Sequence, residues 1–404
     1  MRIAHVHRLG IAILLVMVMG AFALASCSSG RQSTSPQQPG SASASTSENG
    51  EYAPLLESQP VSQDERFGGV YIGIPIDDFN KLGFTYGDSV DVTFSNGYEL
   101  KGIPYYNGFY VNSGDSLLVA YPGYPYVEAA ICYGDPLWDT ANLAEGDTAT
   151  VALAEAGKYR DVQEAFDVSY TVERSDYASD EQFANFRALS GGKMKEGIAY
   201  RSASPVDNEY NRAAYVETLM EQVGVKFVLD LSDSAEEVAE FVTASVNQGV
   251  DVSYFTNLLD TGCVALLSLS ASYPSEEFAQ TLAGGLVKMS KHDGPYLVHC
   301  IEGKDRTGFV CALIEALCGA TYDEILSDYM ITFDNYYGIN KESDPSKYEA
   351  IAHLNLDGML RFLAHVDDNA DLTTISYTGP AREYLRQGGM TDEQIDALVT
   401  RLTS

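Results

Sequence analysis

The chain has 404 residues, room for two ordinary domains or one large one. Hydrophobic residues make up 45% and charged residues 20%, so a sizeable core can be buried and wholesale disorder is excluded. Lys and Arg number 25 against 57 Asp and Glu, a formal charge of -32, which argues against binding bare nucleic acid. A locally positive site for a phosphorylated ligand remains compatible with that balance.

Residues 1–26 read as a targeting segment. Arg2 and Arg8 give a basic start, and Ile11 to Leu24 is an apolar run too short for a comfortable membrane span. It ends in Leu24-Ala25-Ser26-Cys27, which resembles the lipobox of bacterial lipoproteins. That resemblance implies cleavage before Cys27 and lipidation of its thiol, giving a membrane-anchored protein outside the cytoplasm. An ordinary secretory signal is the alternative, with the same side of the membrane as its consequence. Residues 27–65 read as a flexible tether, because Ser28 to Gly50 is rich in Ser, Gly, Gln, Pro and Thr and lacks large apolar residues. Cleavage would take the formal charge to -34.

Residues 66–157 read as a small all-β barrel or sandwich. Gly69 to Ile74, Ser89 to Phe94, Glu99 to Ile103, Ser116 to Ala120, Val127 to Cys132 and Thr148 to Ala152 are short β-branched or aromatic runs. Turn residues such as Ser95-Asn96-Gly97 and Tyr121-Pro122-Gly123 separate them. Three pieces, Tyr86-Gly87-Asp88-Ser89-Val90, Ser113-Gly114-Asp115-Ser116-Leu117 and Gly123-Tyr124-Pro125-Tyr126-Val127-Glu128, resemble the C-terminal β-domain of S-adenosylmethionine hydroxide adenosyltransferases. No catalytic or nucleoside-binding residue is carried over, and the segment is expected to be an accessory module for docking or spacing.

Residues 158–180 read as a linker, and from 181 to 404 the pattern becomes α/β. Lys226 to Leu231 and Pro295 to His299 are compact apolar runs expected as buried parallel strands. Helices are expected over Arg212 to Val223, Ala235 to Asn247, Pro274 to Lys291, Thr307 to Gly319, Tyr322 to Tyr336, Pro345 to Val366 and Thr391 to Leu402. The last opens on a capping box, Thr391-Asp392-Glu393-Gln394. Strands alternating with helices predict a mostly parallel sheet flanked by helices.

The segment that carries chemistry is His299-Cys300-Ile301-Glu302-Gly303-Lys304-Asp305-Arg306-Thr307-Gly308, between an apolar strand and an apolar helix. A short strand-to-helix loop turns backbone N–H groups inward, and the helix start adds partial positive charge. Arg306 can fold across the same bowl. These groups favour a thiolate at Cys300 and match the oxygens of a phosphate. Gly303 permits the turn, and Ile301, Glu302, Gly303, Lys304 and Gly308 complete the substrate-binding loop. Thr307 is placed to steady the sulfur as a leaving group, and His299 to orient the loop.

This Cys-x5-Arg-Thr-Gly pattern is that of the protein tyrosine phosphatase superfamily, and the form HCxxGKDRTG resembles its bacterial tyrosine phosphatases with a lipid-phosphatase-like loop. Asn185-Phe186-Arg187-Ala188-Leu189, Tyr200-Arg201-Ser202-Ala203, Asp230-Leu231-Ser232 and Ser327-Asp328-Tyr329 agree with it, although the family usually reads Asp-Leu-Arg where Ser232 stands. Arg187 and Arg201 are candidates for supporting the site or for structural salt bridges.

The resemblance implies a two-step phosphatase acting through a cysteinyl-phosphate on a phosphorylated protein, lipid or inositol substrate, with no metal or other cofactor. Asp305 is expected as the general acid, with Asp260, in Leu258-Leu259-Asp260-Thr261-Gly262, as the alternative. Lys304 is read evenly as a contact for a second phosphate or as a solvated charge. Cys311 and Cys318 are expected in the core. Cys263 is a candidate for a reversible bridge to Cys300. The rival functions are a surface binding protein with an inactive phosphatase fold and a rhodanese-type sulfur transferase.

Overall fold

A computed structural model describes residues 45–46, 52–64, 68–112, 114–132, 134–270 and 272–404. The expected signal segment and Cys27 lie outside the described residues.

Strands β1 (Ser45–Thr46) and β2 (Tyr52–Ala53) form a short antiparallel pair. Then β3 (Leu55–Gln63), β4 (Val70–Ile72), β5 (Ser89–Phe94), β6 (Glu99–Tyr106), β7 (Ser116–Val119), β8 (Val127–Ile131) and β9 (Thr148–Glu155) close into a barrel in the order β3-β4-β8-β7-β6-β5-β9. Neighbouring strands pair antiparallel except β6 and β7, which run parallel. Alternating inward residues such as Val70, Ile72, Val90, Val92, Phe94, Leu118, Val127 and Val151 fill the interior. Helix α1 (Ile76–Lys81) adds Phe79, stacked on Phe84 at 4.2 Å, and α2 (Leu137–Thr140) adds Leu137.

The first barrel strand, β3, lies inside the stretch expected to be tether. Its polar alternation and internal Pro60 hide it in the sequence, yet Leu56 and Val61 are buried and β3 pairs with both β4 and β9. Leu55–Gln63 is therefore barrel strand and not tether. The expected linker is also ordered. Helix α3 (Arg160–Phe166) occupies its start and a 3-10 turn, Arg174–Asp176, lies further on.

The remaining residues build a second sheet, in the order β10 (Arg187–Ala188), β11 (Ala199–Ser202), β14 (Tyr296–His299), β12 (Phe227–Asp230), β13 (Val264–Leu266). The last four run parallel, and β10 is an antiparallel edge strand. Helices α4 (Asp180–Phe183), α5 (Ala213–Gln222), α6 (Ala235–Gln248), α7 (Ser253–Asp260), α8 (Glu276–Met289), α9 (Asp305–Leu317), α10 (Tyr322–Tyr337), α11 (Pro345–Ile351), α12 (Gly358–Ala364), α13 (Thr378–Gln387) and α14 (Asp392–Thr403) pack around it. Val228 and Leu297 point to one face of the sheet, while Phe227, Leu229 and Val298 point to the other, where α8, α9 and α13 contribute most of the core. Helix α9 is buried nearly all round, as its uninterrupted apolar sequence requires. The α14 capping box is present. The helix expected over Pro345 to Val366 is interrupted by a π turn at Ala352–Asp357.

Candidate active site

The carboxyl ends of β11, β12 and β14 meet at one edge of the sheet, the place where open parallel sheets bind ligands. Cys300 follows β14 directly and is buried. The loop then runs through Ile301–Lys304 into α9. Gly303 has φ +69, and a Cβ there would land inside the Ser202 carbonyl, so no other residue fits this close approach. Among the described residues, the amides of Ile301, Glu302, Gly303 and Lys304 have no hydrogen-bond acceptor. Four unclaimed N–H groups above the first turn of a thirteen-residue helix are the elements of an anion cradle. Arg306 is half-buried, with Nη1 donating to the Leu269 carbonyl at 3.0 Å. Its guanidinium thus lies against the segment after β13. Thr307 is fully buried and its Oγ1 has no hydrogen-bond partner.

The flanking motifs converge beneath this loop. Arg201 donates to the Gly303 carbonyl at 2.9 Å and to Asp328 at 2.6 Å. Asn185 donates to the same carbonyl at 3.2 Å. Arg187 joins Asp328 at 2.8 Å and Asn185 Oδ1 at 2.7 Å. Asp328 is held below the usual carboxylate range by these two guanidiniums, despite its burial. One carboxylate between two arginines thus fixes the glycine of the loop, which makes Arg187 and Arg201 supporting residues tied together by salt bridges.

At the other side of Cys300, His299 is fully buried, and burial pushes its pKa down to about 4. The imidazole is therefore neutral. Its Nδ1 lies 3.3 Å from the Cys300 carbonyl oxygen and its Nε2 lies 3.7 Å from Asp230 Oδ2. Ser232, where the family usually has arginine, turns back to donate from N and Oγ to Asp230 Oδ1 at 3.0 and 3.3 Å. Asp233 N donates to the same oxygen at 3.1 Å. Burial raises both Asp230 and Asp233 to about 7.

Asp305 opens α9. Its carboxyl is 63% exposed, 3.9 Å from Lys304 Nζ, and set in a concave mouth. Desolvation by the surrounding walls raises its pKa and Lys304 partly offsets this. Lys304 also approaches Glu302 at 3.6 Å and the Tyr337 hydroxyl at 3.4 Å, so two carboxylates and a phenol already surround it. Gly308 is packed under the ring of Tyr329, where a Cβ would come within 2.7 Å of Cε2.

Two residues are not brought to the loop. Asp260 ends α7, and Cys263 precedes β13, at the amino edge of the parallel strands. In register, Val264 aligns with Val228 and Leu297, whereas Cys300 lies beyond His299 at the opposite edge. Asp260 therefore lies at the opposite edge of the sheet from Cys300. Cys263 lies 3.9 Å from His292 Nδ1 and out of bridging range of Cys300. Cys311 and Cys318 are buried in the core.

A further group was not visible in the sequence. Tyr170, from the stretch expected to be a linker, donates its hydroxyl to Glu302 Oε1, and Tyr336 donates to the Glu302 carbonyl at 2.6 Å. Beneath them lies Arg212, 1% exposed, with its guanidinium 4.8 Å from the Tyr170 ring centre and 4.3 Å from that of Tyr336. The scattered tyrosines at 170, 210, 336 and 337 carry no short motif that would reveal this cage.

Residues 181–404 match the family model described as the tyrosine phosphatase family. A tyrosine-protein phosphatase of Nostoc commune is 26% identical over 197 residues, covering 45% of this chain and 67% of that protein. The triple specificity protein phosphatase PtpB of Mycobacterium tuberculosis is 30% identical over 109 residues, covering 26% of this chain and 40% of that protein. Among solved structures, the core catalytic domain of a PP-IP phosphatase from S. cerevisiae shares 18% identity with a TM-score of 0.25, over 45% of this chain and 91% of that one. An uncharacterized conserved protein from Thermotoga maritima shares 27% identity with a TM-score of 0.21, over 23% of this chain and 35% of that one. With more than half of its length matched by the family model, the chain belongs to the tyrosine phosphatase family and is a phosphatase, a hydrolase.

Proposed function

We propose that the protein hydrolyses phosphomonoesters of the phosphotyrosine type through a cysteinyl-phosphate on Cys300. The observation that carries this reading is the cradle of unclaimed amides, Ile301 to Lys304, between a buried cysteine and the half-buried Arg306. The thiolate attacks phosphorus in line, the S–P bond forms, and the ester P–O bond breaks. Asp305, whose pKa desolvation raises against the pull of Lys304, gives its proton to the departing oxygen. Water then attacks phosphorus and yields a proton to the Asp305 carboxylate, and the thiolate leaves. Arg306 and the loop amides hold the equatorial oxygens in both steps, and Thr307 Oγ1 has a free hydrogen to offer the departing sulfur. We place the enzyme outside the cytoplasm, anchored through a lipid on Cys27. Lys304 gives little support to an inositol polyphosphate substrate, because Glu302 and Asp305 already face it.

The test is p-nitrophenyl phosphate turnover at mildly acidic pH with native, Cys300→Ser and Asp305→Asn chains. Cys300→Ser is expected to lose at least about a thousandfold, and the native enzyme to release a burst of nitrophenol when hydrolysis of the cysteinyl-phosphate limits. Asp305→Asn is expected to slow phenyl phosphate about a hundredfold and p-nitrophenyl phosphate far less, because a good leaving group needs little protonation. Undiminished activity in Cys300→Ser overturns the mechanism. Undiminished phenyl phosphate turnover in Asp305→Asn overturns the acid assignment alone.

A further inference from the structure

The barrel reaches the catalytic mouth through the connection between β6 and β7. That connection is pinned by α3: Gln163 donates to Asn107 Oδ1 at 2.7 Å, accepts from the Asn107 amide at 3.2 Å, and Tyr110 stacks on Phe166 at 4.9 Å. Further along, the Asn112 side chain lies so close to Gly358 of α12 that a Cβ there would stand 3.1 Å from its Oδ1. Between these two anchors lies a cleft of about 560 Å³, a size that suits a small ligand. Phe109 and Val111 form its barrel wall, Asp305 and Arg306 its catalytic end, and Tyr273 and Phe362 part of the facing wall. Phe109 is 37% exposed, its ring 6.0 Å from that of Tyr121 and its remaining surface on the cleft.

We infer that the Asn107–Asn112 connection is a specificity wall of the active site, selecting phosphomonoesters whose leaving group is aromatic. This rests on the proposed hydrolytic site and adds to it a substrate surface from outside the catalytic region. The cleft is lined by Phe109 on the barrel wall and by Tyr273, Phe309 and Phe362, which pack on one another, across from it, and it shares Arg306 with the phosphate cradle, so it receives an apolar aromatic body attached to one phosphate. Its other arginine, Arg361, stands 3.7 Å from Asp357 and 3.8 Å from Asp368, which leaves little positive charge for a second phosphate.

The experiment is calorimetric binding of 1-naphthyl phosphate and of glycerol 3-phosphate to the full chain carrying Cys300→Ser, with and without Phe109→Ala or Val111→Ala. Tyr126→Ala, on a barrel ring that packs on Tyr71 and does not line the cleft, is the control. Phe109→Ala is expected to weaken 1-naphthyl phosphate about tenfold and to leave glycerol 3-phosphate within about twofold, with a smaller change of the same kind for Val111→Ala. Equal weakening of both probes, no change in either, or no binding of 1-naphthyl phosphate at all overturns the inference. Hydrolysis by the native chain is measured separately. If it fails while the selective loss of binding holds, the wall stands and the catalytic reading falls; if hydrolysis holds and binding is indifferent to Phe109, only the wall falls.

Discussion

Asp233 stands just past the carboxyl end of β12, 3% exposed, with Oδ2 lacking a hydrogen-bond partner. Burial raises its pKa to about 7, Asp230 beside it adds to the rise, and His299 opposes it. In the unfolded chain an aspartate titrates near 3.9. The sign follows from linkage. Between about pH 4 and pH 7 the unfolded chain releases a proton that the folded chain keeps, so this residue removes stability as pH rises, and the full cost is present above pH 7. Asp233→Asn is therefore expected to match the native protein near pH 4 and to exceed it at pH 8 by on the order of 2–4 kcal/mol. Chemical denaturation at the two pH values checks this, and a variant no more stable than native at pH 8 refutes it. The placement of Cys300 and Arg306 on one strand-to-helix loop that turns at Gly303 was legible in the sequence because it follows from local geometry between a strand and a helix. Asp233 was not, because only the fold reveals how thoroughly it is buried.

Elements of low sequence contrast turn out to hold the loop. The runs at 226–231 and 295–299 announced themselves by apolar continuity. Strand β11 did not, since it carries the buried Arg201, a residue whose presence in a core makes sense only beside Asp328. Helix α7 is not among the expected helices, and the sequence singles out only Asp260 at its end. The least visible element was the segment after α3, whose Tyr170 reaches Glu302 in the phosphate loop and rests on the Arg212 cage, where Tyr210 and Phe183 also face the guanidinium at 5.5 and 5.3 Å. The phenol is thus a positioning group. Tyr170→Phe keeps the ring in the cage and deletes the bond to Glu302 together with the hydroxyl's interaction with Arg212. A hydrogen bond to a charged group contributes about 1.5–3 kcal/mol, and here it orders the residue two places from Cys300, the proposed nucleophile. The expectation is a kcat reduced about five- to twentyfold on p-nitrophenyl phosphate, with a Tm lowered by no more than about 5 °C. A structural role alone would lower Tm and leave kcat within twofold, and that result would discard the assignment.

On the scale of the whole molecule, a phosphate dianion approaches a body of formal charge -32. The attraction that admits it is short-ranged: the cradle amides and Arg306 act only within a few ångströms, and Lys304 is accompanied by Glu302 and Asp305. The repulsion from the acidic surface acts over a Debye length, roughly 30 Å at 0.01 M salt and 8 Å at 0.15 M. Added salt should then screen the long-range term first and leave the loop contacts nearly intact. For p-nitrophenyl phosphate, kcat/KM is expected to rise about two- to fivefold between 0.01 and 0.15 M sodium chloride, carried by KM with kcat nearly constant. A substrate with more negative charge, such as a phosphotyrosyl peptide flanked by glutamates, should gain more, and one flanked by lysines should lose. Stopped assays across that salt series decide the matter. A kcat/KM that falls with salt for the neutral-flanked ester would mean that local positive charge at the mouth outweighs the acidic surface, reversing the balance argued from composition.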